Sequence, residues 1–359
     1  MSASGLRQAG SVPFGQLAAG TSNEEMPFDH VVVVMMENHS FDNLLGDLGR
    51  TRPEVDGLTF DASGAPLNSN PDLAVPSQPV RAFPLASTAQ AGHVSQSWGA
   101  TRAQIAGGAM DGFVRAAGGQ HEAMGYYTAE VLPFAHSFAA TFTLANRWFS
   151  SVAGPTYPNR RFLLAGTAFG GTETSGRELL GAFENPPPNG SIFDRLERHG
   201  VTWANYFTDI PMSMVLPRVP LEHLRHLHPR SRFLADCAAG TLPQVSFVDP
   251  ATGDLAAFTA SLAALPGAVK DALSQLDPGE TEEAPHDMYQ GERWAYETVE
   301  AVLRSPAWPR TLLIYTYDEH GGYYDHVQPP AVVAPDEIPP RLATGEIGDY
   351  GSYGVRVRA

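Results

Sequence analysis

Two short acidic runs carry the residue types with the most chemistry in this chain. Glu37-Asn38 and Asp318-Glu319 together offer four oxygen-bearing side chains, three of them carboxylates. Carboxylates crowded into one site raise each other's pKa and destabilise it, a conflict that a divalent cation resolves. The same residue types often cap helices that follow a strand, so spacing alone leaves capping open beside cation binding. A third segment, Gly154-Pro155-Thr156-Tyr157-Pro158-Asn159-Arg160-Arg161, sets a hydroxyl beside an amide and two guanidinium groups.

The elements that must position these residues are readable around them. The run His30-Val31-Val32-Val33-Val34-Met35-Met36 is continuously apolar and rich in β-branched residues, as suits a strand buried on both faces of a parallel sheet. It stops at Glu37-Asn38. Thr311-Leu312-Leu313-Ile314-Tyr315-Thr316-Tyr317 has the same character and stops at Asp318-Glu319. Both acidic pairs therefore fall at strand ends, where ligands sit in open α/β sheets. Between residues 291 and 304, Trp294, Val299, Val302 and Leu303 share one helical face, and Ser305-Pro306 ends it. A helix over 194–198 and strands over 202–207 and 244–248 repeat the alternation more weakly. The expected fold class is α/β, with a mostly parallel central sheet flanked by helices. Segments 49–84, 211–229 and 266–285, rich in turn-forming residues, read as excursions that make a lid or rim, with a short helix over 255–265.

Composition narrows the function. The 359 residues are 43% hydrophobic, enough to bury a large core. The formal charge of −16 repels nucleic-acid backbones and anionic membrane surfaces, so no nucleic-acid partner is expected. Lys270 is the sole lysine, which disfavours a P-loop, a Schiff base or a Ser-Lys dyad. Cys237 is the sole cysteine, so neither an intrachain disulfide nor a thiolate zinc site is available. No apolar run suggests a signal peptide or a membrane span, and the chain reads as soluble, without stable membrane insertion.

Taken in order, Glu37-Asn38-His39-Ser40-Phe41-Asp42, Ser97-Trp98 with Gly108-x-Met110-Asp111-Gly112-Phe113, Thr156-x-Pro158-Asn159-Arg160, and Tyr317-Asp318-Glu319-His320-Gly321-Gly322-x-Tyr324-Asp325-His326-Val327 resemble the phosphoesterase family of bacterial and plant phospholipase C and acid phosphatase A. That family lies within the alkaline phosphatase superfamily, and the match runs from about residue 28 to the end. The resemblance implies an alkaline-phosphatase-like fold: an extension over 1–27, then a single domain over 28–359 with insertions near 49–135 and 208–290. It also implies that Glu37, Asn38, Asp318 and Glu319 hold one divalent ion, and that Thr156 is a nucleophile passing through a phosphothreonine intermediate. Oxygen ligation permits calcium, magnesium or manganese, with zinc also compatible. Metal coordination would favour the threonine alkoxide without a Ser-His relay. His93 and His286 resemble the family's active-site histidines, and His320 follows a ligand pair directly, so all three are candidates for protonating the leaving alcohol. Asn159 and Arg160 could contact phosphate, although an arginine at that distance from Thr156 could equally brace the turn.

His39 and His326 are expected to be structural despite lying in motifs, and His30, His121, His136, His199, His223, His226 and His228 are read as ordinary surface or core residues. The family pattern continues beyond Gly354-Val355-Arg356-Val357, whereas this chain ends at Ala359, so a cut final strand and an exposed edge favouring self-association are expected. The expected substrate is a small phosphoester or a phospholipid. A competing reading keeps the fold and phosphoester binding but loses turnover. A serine hydrolase is disfavoured by the absence of Gly-x-Ser-x-Gly.

Overall fold

The apolar runs become the centre of a parallel sheet. The structure, a computed structural model, describes residues 27–75, 77–90, 92, 94–251 and 287–359. Its strands are β1 (His30–Met36), two short ribbons formed by β2 (Ser69–Asn70) with β3 (Val80–Arg81) and β4 (Phe83–Pro84) with β5 (Gly125–Tyr126), then β6 (Trp203–Phe207), β7 (Leu227–Pro229), β8 (Val245–Asp249) and β9 (Thr311–Tyr317). The main sheet has the order β7-β6-β8-β1-β9, and every neighbouring pair is parallel. All five strands therefore point their carboxyl ends the same way. This is the expected α/β architecture.

Helices cover both faces of the sheet. In chain order they are α1 (Phe41–Leu45), α2 (Trp98–Ile105), α3 (Phe113–Ala116), α4 (Pro133–Thr141), α5 (Thr156–Ala165), α6 (Gly176–Glu184), α7 (Ile192–Arg198), α8 (Arg218–Glu222), α9 (Arg230–Ala239) and α10 (Met288–Arg304). Alternation along β1 divides the core. Val32, Val34 and Met36 face a cluster with Ala135 and Ala139 of α4, Phe233 and Cys237 of α9, and Trp294, Val299 and Val302 of α10. Val33 faces the other layer, with Leu164 of α5, Leu179 of α6 and Phe193 of α7. A continuous apolar run is what a strand buried on both faces requires.

The stretch 211–229 is more than a rim, because its last residues supply the edge strand β7. α10 begins three residues before the periodic pattern suggests, since Asp287 caps it by accepting from the Tyr289 N–H. The helix expected over 255–265 lies outside the described residues. Among the described residues, no helix is long and apolar enough to cross a membrane.

Candidate active site

β1 and β9 are paired with Met36 opposite Tyr317, so the residues that follow them, Glu37-Asn38 and Asp318-Glu319, emerge side by side. The Asp318 N–H still donates to the Met36 carbonyl at 3.2 Å, which extends the ladder past the strand end. β8 ends on the same side in Asp249. Glu37, Asn38, Asp249, Asp318 and Glu319 are all buried.

The turn after β9 is shaped by glycine. Gly321 has φ +64°, and a Cβ there would run into the carbonyl oxygen of Asn38. Asn38 itself sits at φ +126°, a conformation that non-glycine residues rarely adopt and that clusters at functional sites. The two acidic corners are thus pressed together backbone to backbone. The Glu319 N–H donates to Asp318 Oδ1 at 2.7 Å, and the Gly321 N–H to Glu319 Oε2 at 2.8 Å, so both carboxylates are oriented before any ligand arrives.

Thr156 enters from the third segment as the first residue of α5, buried, with its Oγ1 3.4 Å from Asn38 Oδ1. Asn159 holds this entry turn. Its side-chain carbonyl accepts from the Val152 N–H at 3.0 Å, and its amide donates to the carbonyls of Gly154 and Pro155 at 2.8 and 3.1 Å. With Pro155 as N-cap no side chain caps α5, although the Tyr157 N–H donates to Thr174 Oγ1 at 3.2 Å. The helix therefore turns its positive end toward the acids, an orientation that favours an anion. A cavity of about 760 Å³ opens beside Pro155, lined by Trp98, Thr174, Leu342 and their neighbours.

One turn along α5, Arg160 reaches into the acids themselves. Its Nη2 lies 3.0 Å from Glu37 Oε1, its Nε donates to Asp318 Oδ2 at 3.1 Å, and its Nη1 lies 3.6 Å from Asp249 Oδ1. Burial opposes its charge, but Asp318, Glu37 and Asp249 outweigh burial and hold its pKa above the ordinary arginine value. Burial pushes the Asp249 carboxyl up, against Arg160, the Asn205 amide and the Met212 N–H. Asp249 was missed by the sequence reading, and the signal was available: it follows an apolar run at the same strand-end position as the two pairs.

Three buried carboxylates around one buried guanidinium, with a fourth, Glu319, next in the chain to Asp318 and 3.2 Å from His320 Nδ1, leave net negative charge and oxygen donors that fit a hard divalent cation. Arg160 stands between Glu37, Asp249 and Asp318. Oxygens of Glu37, Asp318 and Glu319 do not gather within 4.8 Å of one another, as those of Asp42 and Asp325 do with a ring nitrogen of His326.

The candidate histidines separate. His93 and His286 lie outside the described residues. His320 is fully buried, with Nε2 2.9 Å from Gln104 Oε1 and its ring edge-on to Phe113, and burial pulls its pKa down to about 3. His39 stacks on Tyr323 and places Nδ1 2.7 Å from Asn43 Oδ1. His326 sits in a clasp behind the site. Arg356 Nε donates to both oxygens of Asp325 at 3.1 Å and its Nη2 to Asp42 Oδ1 at 2.9 Å, while His326 Nδ1 lies 2.7 Å from Asp42 Oδ2. The clasp ties the corner after β1 to the loop after β9 and to the C-terminal segment.

Comparison with known proteins returns the same family. Residues 28–359 match the phosphoesterase family. The chain is 30% identical over 352 residues to non-specific phospholipase C6 of Arabidopsis thaliana, covering 95% of this chain and 62% of that protein. It is 33% identical over 328 residues to non-specific phospholipase C1 of the same plant, covering 86% and 56%. With phospholipase C B of Mycobacterium tuberculosis it is 28% identical over 369 residues, covering 91% and 65%. The chain thus spans about three-fifths of the length of these relatives.

Proposed function

The chain belongs to the phosphoesterase family, and on that footing we propose that it hydrolyses phosphodiesters of the phospholipid type through Thr156, with a divalent ion held by Glu37, Asn38, Asp318 and Glu319. The observation that carries this reading is the approach of Thr156 Oγ1 to 3.4 Å from Asn38 at the edge of a buried acidic cluster. An ion in that position supplies a Lewis acid for the Thr156 hydroxyl and for a phosphoryl oxygen.

The chain's own residues do the rest. Thr156 Oγ1 attacks phosphorus, and the bond from phosphorus to the lipid alcohol breaks, leaving the phosphorylated headgroup on the threonine. Water then releases it. The amino end of α5 faces the charge that builds on the phosphoryl oxygens, and Asn159 fixes the turn so that the hydroxyl need not be repositioned. Arg160 balances and spaces the acids rather than reaching for phosphate. Protonation of the leaving alcohol falls to His93 and His286 in this proposal, with His320 bracing the corner through Gln104. The names of the relatives, phospholipases C, favour a phosphodiester over a phosphomonoester. The test is turnover of phosphatidylcholine and p-nitrophenyl phosphate by metal-loaded protein beside Thr156→Ala. Release of phosphocholine, lost about a thousandfold or more in the variant, is the expected result. Equal rates in both proteins would remove Thr156 from the mechanism.

A further inference from the structure

At the amino end of β6, about 13 Å along the strand at 3.3 Å per residue from Phe207, which pairs with Asp249, a second group of ligating side chains surrounds Trp203. We propose that Glu197, His223 and His226 form a binding site for a transition-metal ion of the zinc class, separate from the acidic cluster. One carboxylate oxygen of Glu197, at the end of α7, and one ring nitrogen from each histidine lie within 4.8 Å of one another. Two imidazoles and a carboxylate suit zinc and its neighbours better than magnesium or calcium.

The orientation of each donor is set by a second bond. His226 Nδ1 lies 2.8 Å from the Trp203 carbonyl, which can only accept, so Nδ1 carries a proton and Nε2 is the nitrogen turned toward Glu197. The His226 ring is stacked flat on Trp203, with centroids 4.1 Å apart and planes 13° from parallel. Glu197 Oε1 accepts from Trp203 Nε1 at 2.9 Å and lies 2.9 Å from His226 Nε2. At that distance the two atoms share a proton or a cation between them, and a metal ion that displaces the proton would meet both. His223 packs edge-on to both Trp203 and His226, and its Nδ1 is buried without a hydrogen-bond partner. A backbone acceptor or a ring donor that fixes a ligand's direction is the usual support of a metal site.

Arg225 supplies the cation here, with Nε 3.0 Å from His226 Nε2 and Nη2 3.1 Å from Glu197 Oε2. Its side chain is 69% exposed, so it can swing into water and leave both donors to a metal. Asp194 and Glu222 gather at His223 within the same 4.8 Å, adding negative charge at the rim. A bound ion would staple α7 to the segment 222–226 at the edge of the sheet.

The test is calorimetric titration of the full chain with zinc, in millimolar magnesium to hold the oxygen-lined cluster, beside His223→Gln, His226→Gln and Arg225→Ala. The proposal expects one zinc-binding event per chain that weakens about tenfold or more in each histidine variant and tightens in Arg225→Ala, because the competing guanidinium is gone. Zinc bound equally by wild type and both histidine variants, or no zinc bound in magnesium, would overturn it. So would weaker binding by Arg225→Ala, a surface change that leaves the fold intact.

Discussion

A guanidinium buried among carboxylates is stable only while both signs are present, since removing one partner strands the other in a low-dielectric interior. Arg160, 2% exposed between Glu37, Asp318 and Asp249, is in that position. Arg160→Met is therefore expected to destabilise the metal-free protein by about 3–5 kcal/mol, read as a lower denaturation midpoint in chelator. Adding a divalent ion should restore part of the loss, because it replaces the missing charge among the same oxygens. A loss that metal leaves untouched would mean that Arg160 serves packing alone. Its neighbour Arg161 is a built-in contrast: it turns away to Glu178 and the Val215 carbonyl and joins α5 to α6, so metal should not rescue its removal.

At the scale of elements, the site depends on how closely the corners after β1 and β9 approach. Gly321→Ala forces a Cβ against the Asn38 carbonyl at φ +64°, and a cost of about 2 kcal/mol or more with loss of turnover is the expected outcome. Unchanged melting temperature and activity would show that the corner has room to relax. These two strands were legible in the sequence because a run of apolar β-branched residues buried on both sides has few other conformations. The strand β7 was not, since Leu227-His228-Pro229 has neither length nor pattern and pairs only because β6 offers it an edge. Asp249 carries a weaker form of the strand-end signal, because a lone acid before a proline also looks like a turn residue, and the register of β8 beside β1 is what brings it to the cluster. The sequence leaves the role of Arg160 open between phosphate and turn because a long side chain's partners are decided by tertiary neighbours. Asn159, by contrast, bonds within its own turn, a local interaction of the kind that sequence can suggest.

Across the whole molecule, the first and last motifs are held together by the clasp of Asp42, Asp56, Asp325, His326 and Arg356. Burial would lower the His326 imidazole, but the hydrogen bond it donates to Asp42 and the charges of Asp42 and Asp325 raise it to about 9 from 6.5. A raised folded-state value means that the protonated ring contributes stability fully below pH 6.5, and that this contribution is lost as pH rises through about 9. The melting temperature should fall across that window in the wild type and fall less steeply in His326→Gln. Parallel profiles would remove His326 from the linkage. The larger question is whether three distant stretches of chain meet around one ion, and diffraction with anomalous scattering from crystals soaked in a divalent metal and vanadate answers it directly. The account predicts an anomalous peak touching Glu37, Asn38, Thr156, Asp318 and Glu319, with vanadium facing Thr156 Oγ1; a cluster bridged by Arg160 alone, with Thr156 turned away from vanadate, would contradict it.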